Sequence, residues 1–516
     1  MSALKWDVAD NELPMWVADM DFKVCPDIEE ALLKRASVGA FGYFDVPDAW
    51  YDAYIGWWKE RHGFSLSRDG LIFTTGAVPA ISSMVRKLTT PAEKVLLMTP
   101  VYNIFFNSIL NNGRVVLECP LSYEVSQAGP AEVSGAGPAE VSGAGPAGYG
   151  TLASEDDARA QLRRHPQPQL RHDPQPDNAA TYGYYSIDWG ELEQKLSDPQ
   201  CTLLIFCNPH NPIGRIWSKE ELARIGELCD KHHVTVISDE LHCDLTDPGY
   251  SYVPFASVNE TNARISITCM APSKTFNLAG MQSAAVYVTD SVLHHKVWRG
   301  LNTDEVAEPN AFACESTIAA YTHGAAYLDE MRQYIYDNKA MVEEYINKEL
   351  PDIRMVSEHH ATYLLWMDMC AYIDAGPAGV GVSQAGPAEV SGAGPAGYGT
   401  LASEDDARAQ LRRHPQPQLR HDPQDDAQTQ LRRHPQAQLR HDPQDDAQAQ
   451  LRRHPQAGIL NAHELQKYIR RTTGLYLSDG CIYGGNGDHF LRMNIATSHE
   501  NVKDGLNRLK TALDNL

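Results

Sequence analysis

Ser266-Ile267-Thr268-Cys269-Met270-Ala271-Pro272-Ser273-Lys274-Thr275-Phe276-Asn277-Leu278-Ala279-Gly280 is a short apolar, β-leaning run that breaks into a turn, and Lys274 stands where the run stops. A lysine at the mouth of a sheet is partly stripped of water, and a desolvated amine can lose its proton and attack a carbonyl. On its own the stretch says little, because most lysines are solvated surface charges. Two neighbouring stretches change its meaning.

The first is Thr202-Leu203-Leu204-Ile205-Phe206-Cys207-Asn208-Pro209-His210-Asn211-Pro212-Ile213-Gly214, an apolar strand running into a turn of Asn, Pro and Gly. The second is Val234-Thr235-Val236-Ile237-Ser238-Asp239-Glu240-Leu241-His242, a buried-type strand that ends in a carboxylate. Lys274 follows Asp239 by about 35 residues, with one further strand between them. An Asn-Pro loop, a strand-end Asp and a strand-end Lys are three groups that a pyridoxal phosphate site needs. The amine bonds the cofactor aldehyde, the carboxylate keeps the pyridine nitrogen protonated, and the amide hydrogen-bonds the ring oxygen.

The repeated alternation of strand and helix predicts an α/β fold, with a mostly parallel sheet covered by helices on both faces. Ligands in such sheets sit at the carboxyl ends of the strands, where Asn211, Asp239 and Lys274 all fall. Leu71-Ile72-Phe73-Thr74-Thr75-Gly76-Ala77-Val78 reads as strand, tight turn and helix start. The unpaired N–H groups of Ala77 and Val78, aligned with the helix dipole, are placed to hold a phosphate. Trp50, Tyr54, Trp57 and Trp58 recur at helical spacing, which core packing explains without a ligand. Ser218-Lys219-Glu220-Glu221 is a capping box that opens a helix. Tyr327 to Leu350 predicts a long helix with an apolar stripe at Leu328, Met331, Ile335, Val342 and Ile346.

The chain resembles the fold type I pyridoxal-phosphate enzymes of the class I/II aminotransferase superfamily, and within them the cystathionine β-lyase-like carbon–sulfur lyases. Pro14-Met15-Trp16-Val17-Ala18-Asp19-Met20-Asp21-Phe22 and Ser238-Asp239-Glu240-Leu241-His242 carry the subgroup resemblance. Asn208 to Gly214 and Ser273-Lys274 are shared more widely in the superfamily. The resemblance implies a large domain with a seven-stranded sheet and a smaller α+β C-terminal domain. It implies that Tyr102 stacks on the pyridine ring, that Ser273 and Lys274 bind the cofactor, and that Asn211 and His242 tune the ring oxygen. It implies that backbone near Ala18 lines the substrate carboxylate site and that Arg492 clamps that carboxylate, a task that guanidinium geometry suits. Tyr43, in the aromatic loop Gly39 to Phe44, is implied to reach the cofactor phosphate of a partner subunit, making the active site a property of a homodimer. Trp16 to Phe22 itself reads as an extended loop pinned by Trp16. The resemblance implies a short segment, often a dimer contact, before the Lys5-Trp6-Asp7 region, and this sequence begins almost on that region.

Bulk properties agree with a soluble enzyme. The chain has 516 residues, a hydrophobic content of 43% and a formal net charge of −23. That charge argues against nucleic acid or an anionic membrane as partner. Ten cysteines are scattered without a C-x-x-C pair, so they read as reduced, mostly buried residues, with neither disulfides nor a metal site expected. No apolar run approaches the roughly 20 residues that span a bilayer. No signal-peptide core opens the chain, so a cytoplasmic location is expected.

Composition changes abruptly twice. From 125 to 177 and from 376 to 457 the chain turns to Gly-Pro-Ala-Glu-Val-Ser repeats and a 20-residue unit, DDARAQLRRHPQPQLRHDPQ, seen at Asp156, Asp405, Asp425 and, incomplete, at Asp445. Each unit offers about two leucines, too little apolar surface to offset the entropy of ordering it. Its three Asp nearly cancel its three or four Arg, so it is not a basic nucleic-acid arm. His165 and His172 are too far apart for a helical metal pair. Two disordered low-complexity inserts in surface loops are expected. The remaining layout is a segment 1–40 that joins the small domain, a large domain of 41–124 and 178–325, and a small domain of 326–375 and 458–516.

The expected activity is α,β-elimination from cystathionine, cysteine or related S-substituted cysteines, giving pyruvate, ammonia and a thiol. Lys274 would remove the α proton and Asp239 keep the ring nitrogen protonated. The alternative is a class I/II aminotransferase using the same groups. His242, where aminotransferases of the superfamily often carry Tyr, tilts the balance toward the lyase. Lyases of this group that also bind a transcriptional regulator supply a third, non-enzymatic reading, and no stretch here identifies such a surface.

Overall fold

The computed structural model describes residues 3–126, 182–373 and 459–516. The inserts expected at 125–177 and 376–457 lie outside these residues, except that Val125 belongs to a strand that runs on through Ser126. The strands in chain order are β1 (Leu13–Pro14), β2 (Leu71–Thr74), β3 (Lys94–Thr99), β4 (Val115–Pro120), β5 (Ser122–Ser126), β6 (Tyr182–Ser186), β7 (Cys201–Cys207) and β8 (Thr235–Asp239). They continue with β9 (Ser266–Met270), β10 (Ala284–Tyr287), β11 (Arg354–Met355), β12 (Leu364–Asp368), β13 (Leu475–Tyr476), β14 (Ser478–Asp479) and β15 (Phe490–Asn494).

Seven strands form the main sheet in the order β2-β10-β9-β8-β7-β3-β4. Every pairing from β9 to β4 is parallel, and β10 alone runs antiparallel to both its neighbours. Central strands buried on both faces need continuous apolar sequence rather than alternation. Leu203, Leu204, Ile205 and Phe206 in β7 and Val236 and Ile237 in β8 are accordingly fully buried. The chain steps outward from β3 to β4, then returns through β7, β8 and β9, so the strand order reverses between β3 and β7. A crevice opens beyond the carboxyl ends of strands at such a reversal.

A second, antiparallel sheet has the order β11-β12-β15-β14. The aromatic helix spans Asp48–His62, with Trp50, Tyr54, Trp57 and Trp58 all buried. The capping box is formed: Ser218 accepts from the Glu221 N–H, and the Glu221 carboxylate accepts from the Ser218 N–H. The long helix runs Ala325–Glu349 and buries Leu328, Met331, Ile335, Val342 and Ile346. The same face also buries Asn338 and Lys339, which an apolar stripe does not foretell. Strands β5 and β6 pair as a hairpin from Ser122 with Ser186 to Ser126 with Tyr182. The first repeat segment therefore leaves and re-enters the chain at facing positions of one hairpin. Eight of the ten cysteines are buried, Cys370 is exposed and Cys481 is partly so. Among the described residues no helix is long and apolar enough to cross a membrane.

Candidate active site

Since β3, β7, β8 and β9 are adjacent and parallel, the turns at their carboxyl ends meet along one edge of the sheet. Asp239 is the last residue of its strand, whereas Tyr102, Asn211 and Lys274 lie in the turns beyond β3, β7 and β9. The strand-end placement expected for Asn211 and Lys274 is thus corrected to the turns that follow β7 and β9. The Asn-Pro loop is fixed at both ends. His210 hydrogen-bonds the Pro100 carbonyl at 2.8 Å. Gly214 closes the loop at φ +73°, where an added Cβ would come within 2.8 Å of the Ala361 oxygen.

Lys274 is half-buried, and its amine donates to the Ala18 carbonyl at 2.7 Å. Burial lowers its pKa, the Asp19 and Asp239 carboxylates oppose that shift, and the Arg492 guanidinium adds to it. Asp239 is 8% exposed, and its side chain accepts only a long 3.3 Å hydrogen bond from the Leu241 N–H. Burial pushes its pKa up to about 6. Glu240 accepts from the Ser238 hydroxyl, the Phe255 N–H and the Tyr252 hydroxyl. Burial still raises it to about 8, so near neutral pH it adds little negative charge beside Asp239. His242 is buried, and its Nδ1 has no partner. Burial, together with the Lys274 and Arg492 charges, lowers its pKa to about 3 and keeps the imidazole neutral.

Arg492 comes from β15 and is 4% exposed, against the ordinary tendency of a strand arginine to face water. Its guanidinium donates to the Asn211 side-chain oxygen at 3.2 Å and to the Trp16 carbonyl at 3.0 Å, and lies over the Tyr483 ring at 4.9 Å. Its Nε is buried without a partner. Among the described residues no carboxylate pairs with it. Buried guanidinium groups are ordinarily paired with a carboxylate, and this one is not.

Residues 16–20 cross this site as a row of carbonyls held by side chains. Asn494 donates to Val17 and Asp19 at 2.6 and 2.7 Å, Tyr363 to Ala18 at 2.9 Å, and Asn277 to Met20 at 2.9 Å. Trp16 stacks on Tyr476 at 5.0 Å, but most of the pinning of this loop comes from other side chains that donate to its carbonyls. Asn494 and Tyr363 escaped the sequence reading. Strand alternation places Asn494 on the same face as Arg492, a signal that could have found it. No comparable local signal marks Tyr363.

The helix Ala77–Leu88 follows β2 through Gly76, whose φ of +154° lies at the edge of what L side chains adopt. The N–H groups of Ala77 and Val78 have no acceptor among the described residues, as the first turn of a helix leaves them. Ser273 is half-buried, and its carbonyl accepts from the Leu278 N–H at 3.0 Å. Tyr102 is partly buried and packs edge-on against Phe105 at 5.5 Å. Tyr43 stands apart: it is fully exposed and touches none of these groups within its own chain.

A group carrying a protonated ring nitrogen, an aldehyde and a phosphate fits these residues. Among the described residues, Asp239 is a buried carboxylate without a cation in ion-pairing distance, His242 has an unpaired ring nitrogen, and the Lys274 amine is not held by a carboxylate. His62, Cys243 and Asp244 form the one cluster of metal-ligand type among the described residues. There Asp244 already accepts from Trp57, from Thr275 and from the His62 ring.

The aminotransferase class I and II family matches residues 178–412. Cystathionine beta-lyase PatB of Bacillus subtilis is 37% identical over 376 residues, which are 72% of this chain and 82% of that protein. Protein MalY of Escherichia coli is 26% identical over 373 residues, 71% of this chain and 80% of that protein. The crystal structure of Treponema denticola cystalysin, which contains a pyridoxal 5′-phosphate cofactor, superposes with a TM-score of 0.68. It covers 99% of this chain and 96% of that one, and at 23% identity it speaks to the fold alone. Strand order, the placement of Lys274 and Asp239, and the likeness to PatB converge: the chain belongs to the fold type I, pyridoxal-phosphate-dependent class I/II aminotransferase superfamily, in its cystathionine β-lyase-like branch.

Proposed function

We propose that the protein is a carbon–sulfur β-lyase that converts cystathionine- or cysteine-type S-substituted amino acids to pyruvate, ammonia and a thiol. The observation that carries this reading is a buried Arg492 without a carboxylate, in one crevice with a Lys274 amine that no carboxylate holds. The name of the 37%-identical relative favours elimination over transamination. Pyridoxal phosphate, when bound through Lys274, supplies a sink for the electron pair left at Cα.

Arg492 binds the α-carboxylate, aided by the oriented backbone around Ala18, and so presents the α proton to Lys274. The lowered pKa of Lys274 suits it to take that proton and pass it to the sulfur as the Cβ–S bond breaks, so that the thiol leaves neutral. Asp239, enclosed and short of donors, would hold a proton on the ring nitrogen. Asn211, whose oxygen is occupied by Arg492, would offer its amide N–H to the ring oxygen, with neutral His242 as a second tuning group. Tyr102 would pack on the ring, while the Ala77 and Val78 N–H groups and Ser273 would hold the phosphate. Tyr43, unused in its own chain, serves the phosphate of a second copy, which makes a homodimer the working unit. A cytoplasmic setting and a two-domain division around the main sheet complete the reading.

The test is pyruvate and thiol release from L-cystathionine by the purified protein with no 2-oxo acid present. Lys274→Ala should lower that rate by about 10³-fold or more and abolish the visible band of the bound cofactor. Turnover that requires a 2-oxo acid acceptor would reassign the protein as an aminotransferase.

A further inference from the structure

The Ala18 carbonyl accepts two side-chain hydrogen bonds. One comes from Lys274 at 2.7 Å, the other from the Tyr363 hydroxyl at 2.9 Å. The two donors arrive from different parts of the chain, Lys274 from the turn after β9 and Tyr363 from the residue before β12. A carbonyl oxygen has two lone pairs, so this pair of donors fills it. We propose that Tyr363 is a positioning residue for Lys274: by sharing the Ala18 oxygen it sets how firmly that carbonyl holds the lysine amine.

Three observations support this assignment. Tyr363 is 1% exposed, so its hydroxyl has no water to fall back on and remains committed to Ala18. Ala18 lies between Val17 and Asp19, whose carbonyls are both pinned by Asn494, so its own carbonyl cannot swing away. The Tyr363 ring also packs edge-on to His242, with centroids 6.1 Å apart, which ties it to the Asp239 side of the crevice.

The consequence concerns the moment when the amine must leave Ala18. With Tyr363 in place the carbonyl remains paired after the lysine departs, so departure strands no buried acceptor. Without the phenol, Lys274 is the sole side-chain donor to that oxygen, and its ammonium form is held more tightly. The other groups facing the amine are Asp19, Asp239, Arg492 and His242. Burial raises the Tyr363 pKa, so the phenol stays a donor across the working range. None of these other groups changes when only the Tyr363 oxygen is removed.

The inference rests on Lys274 being the working lysine, and its test needs no turnover. In cofactor-free protein, the rate of Lys274 modification by trinitrobenzenesulfonate is followed against pH by peptide mapping. Tyr363→Phe, which keeps the ring, should move the Lys274 midpoint upward by about half a unit to one unit. Tyr363→Met, equally without the hydroxyl, repeats the measurement with a different shape. Asn277→Ala loosens the same stretch without touching Ala18 and should leave the midpoint in place. In the loaded enzyme Tyr363→Phe should lower kcat by about tenfold with KM within about twofold, and shift the acid limb of kcat in the same direction. An unchanged midpoint in both Tyr363 variants overturns the proposal, as does an equal shift in Asn277→Ala. Absence of pyruvate release from the parent would refute the lyase reading and leave the labelling result interpretable.

Discussion

Asp239 and Asp244 flank one turn and are both almost wholly buried, at 8% and 4% exposure, yet their surroundings are opposite. Asp244 accepts from Trp57, Thr275 and His62, which tie the aromatic helix Asp48–His62 to the residue after Lys274. Burial pushes its pKa up, but the interactions with His62 and Thr275 and the nearby Arg61 charge outweigh that and lower it. Asp239 receives one long N–H bond, and burial drives it up to about 6. A buried carboxylate whose donors are complete is part of the scaffold, whereas one left short of donors awaits a ligand. Arg492, buried without a carboxylate, belongs with Asp239 on the unfinished side of that divide.

Removing the completed carboxylate should have the largest effect. Asp244→Ala strands the Trp57, Thr275 and His62 donors in the core and should cost about 3–5 kcal/mol of stability by urea denaturation at pH 7. Because the folded pKa of Asp244 lies below 3.8, its stabilisation is present above that value and fades as pH falls through the lower folded value. A loss under 1 kcal/mol, on the order of an ordinary surface change, would erase the contrast between the two residues.

Asp239→Asn should act in the other direction on cofactor-free protein. The folded pKa of about 6 exceeds the ordinary 3.8, so the fold favours the protonated acid. Its contribution is therefore fullest below about pH 4, falls as pH rises to about 6 and stays low beyond. The Asn variant should regain about 2–3 kcal/mol at pH 8 and almost nothing at pH 4, read as the difference in denaturation midpoints. The same variant should lose activity once loaded, since an amide cannot hold a proton on the ring nitrogen. A parent protein whose stability is flat between pH 4 and pH 8 would contradict this.

The smallest effect sharpens the comparison for Arg492. Arg492→Lys keeps the charge but not the two-pronged geometry, and should cost about 2 kcal/mol in kcat/KM, roughly 10- to 100-fold. Most of that loss should appear in KM. Equal kinetics for the two residues would mean that the guanidinium does not grip the substrate carboxylate.

Much of this architecture is legible in the sequence. Apolar runs ending in Asn-Pro and in Asp239 foretell adjacent parallel strands, because a strand buried on both faces needs an unbroken apolar run. The spacing of Trp50, Tyr54, Trp57 and Trp58 and the Ser218 to Glu221 cap are equally local signals, and both form as read. Lys274 reads as a strand-end residue, yet the strand stops at Met270 and leaves it in the turn, since the run that carries it gives no sign of where its last ladder bond falls.

Tertiary structure alone decided which buried polar groups are satisfied. The partners of Lys274, Tyr363 and Arg492 in residues 16–18 lie 256, 345 and 476 positions away along the chain. Local pattern fixes which way a side chain points from its own helix or strand, and it is silent on what it will meet. Asp239 and Asp244 read alike as letters. Only the packing of distant segments gave one its donors and withheld them from the other.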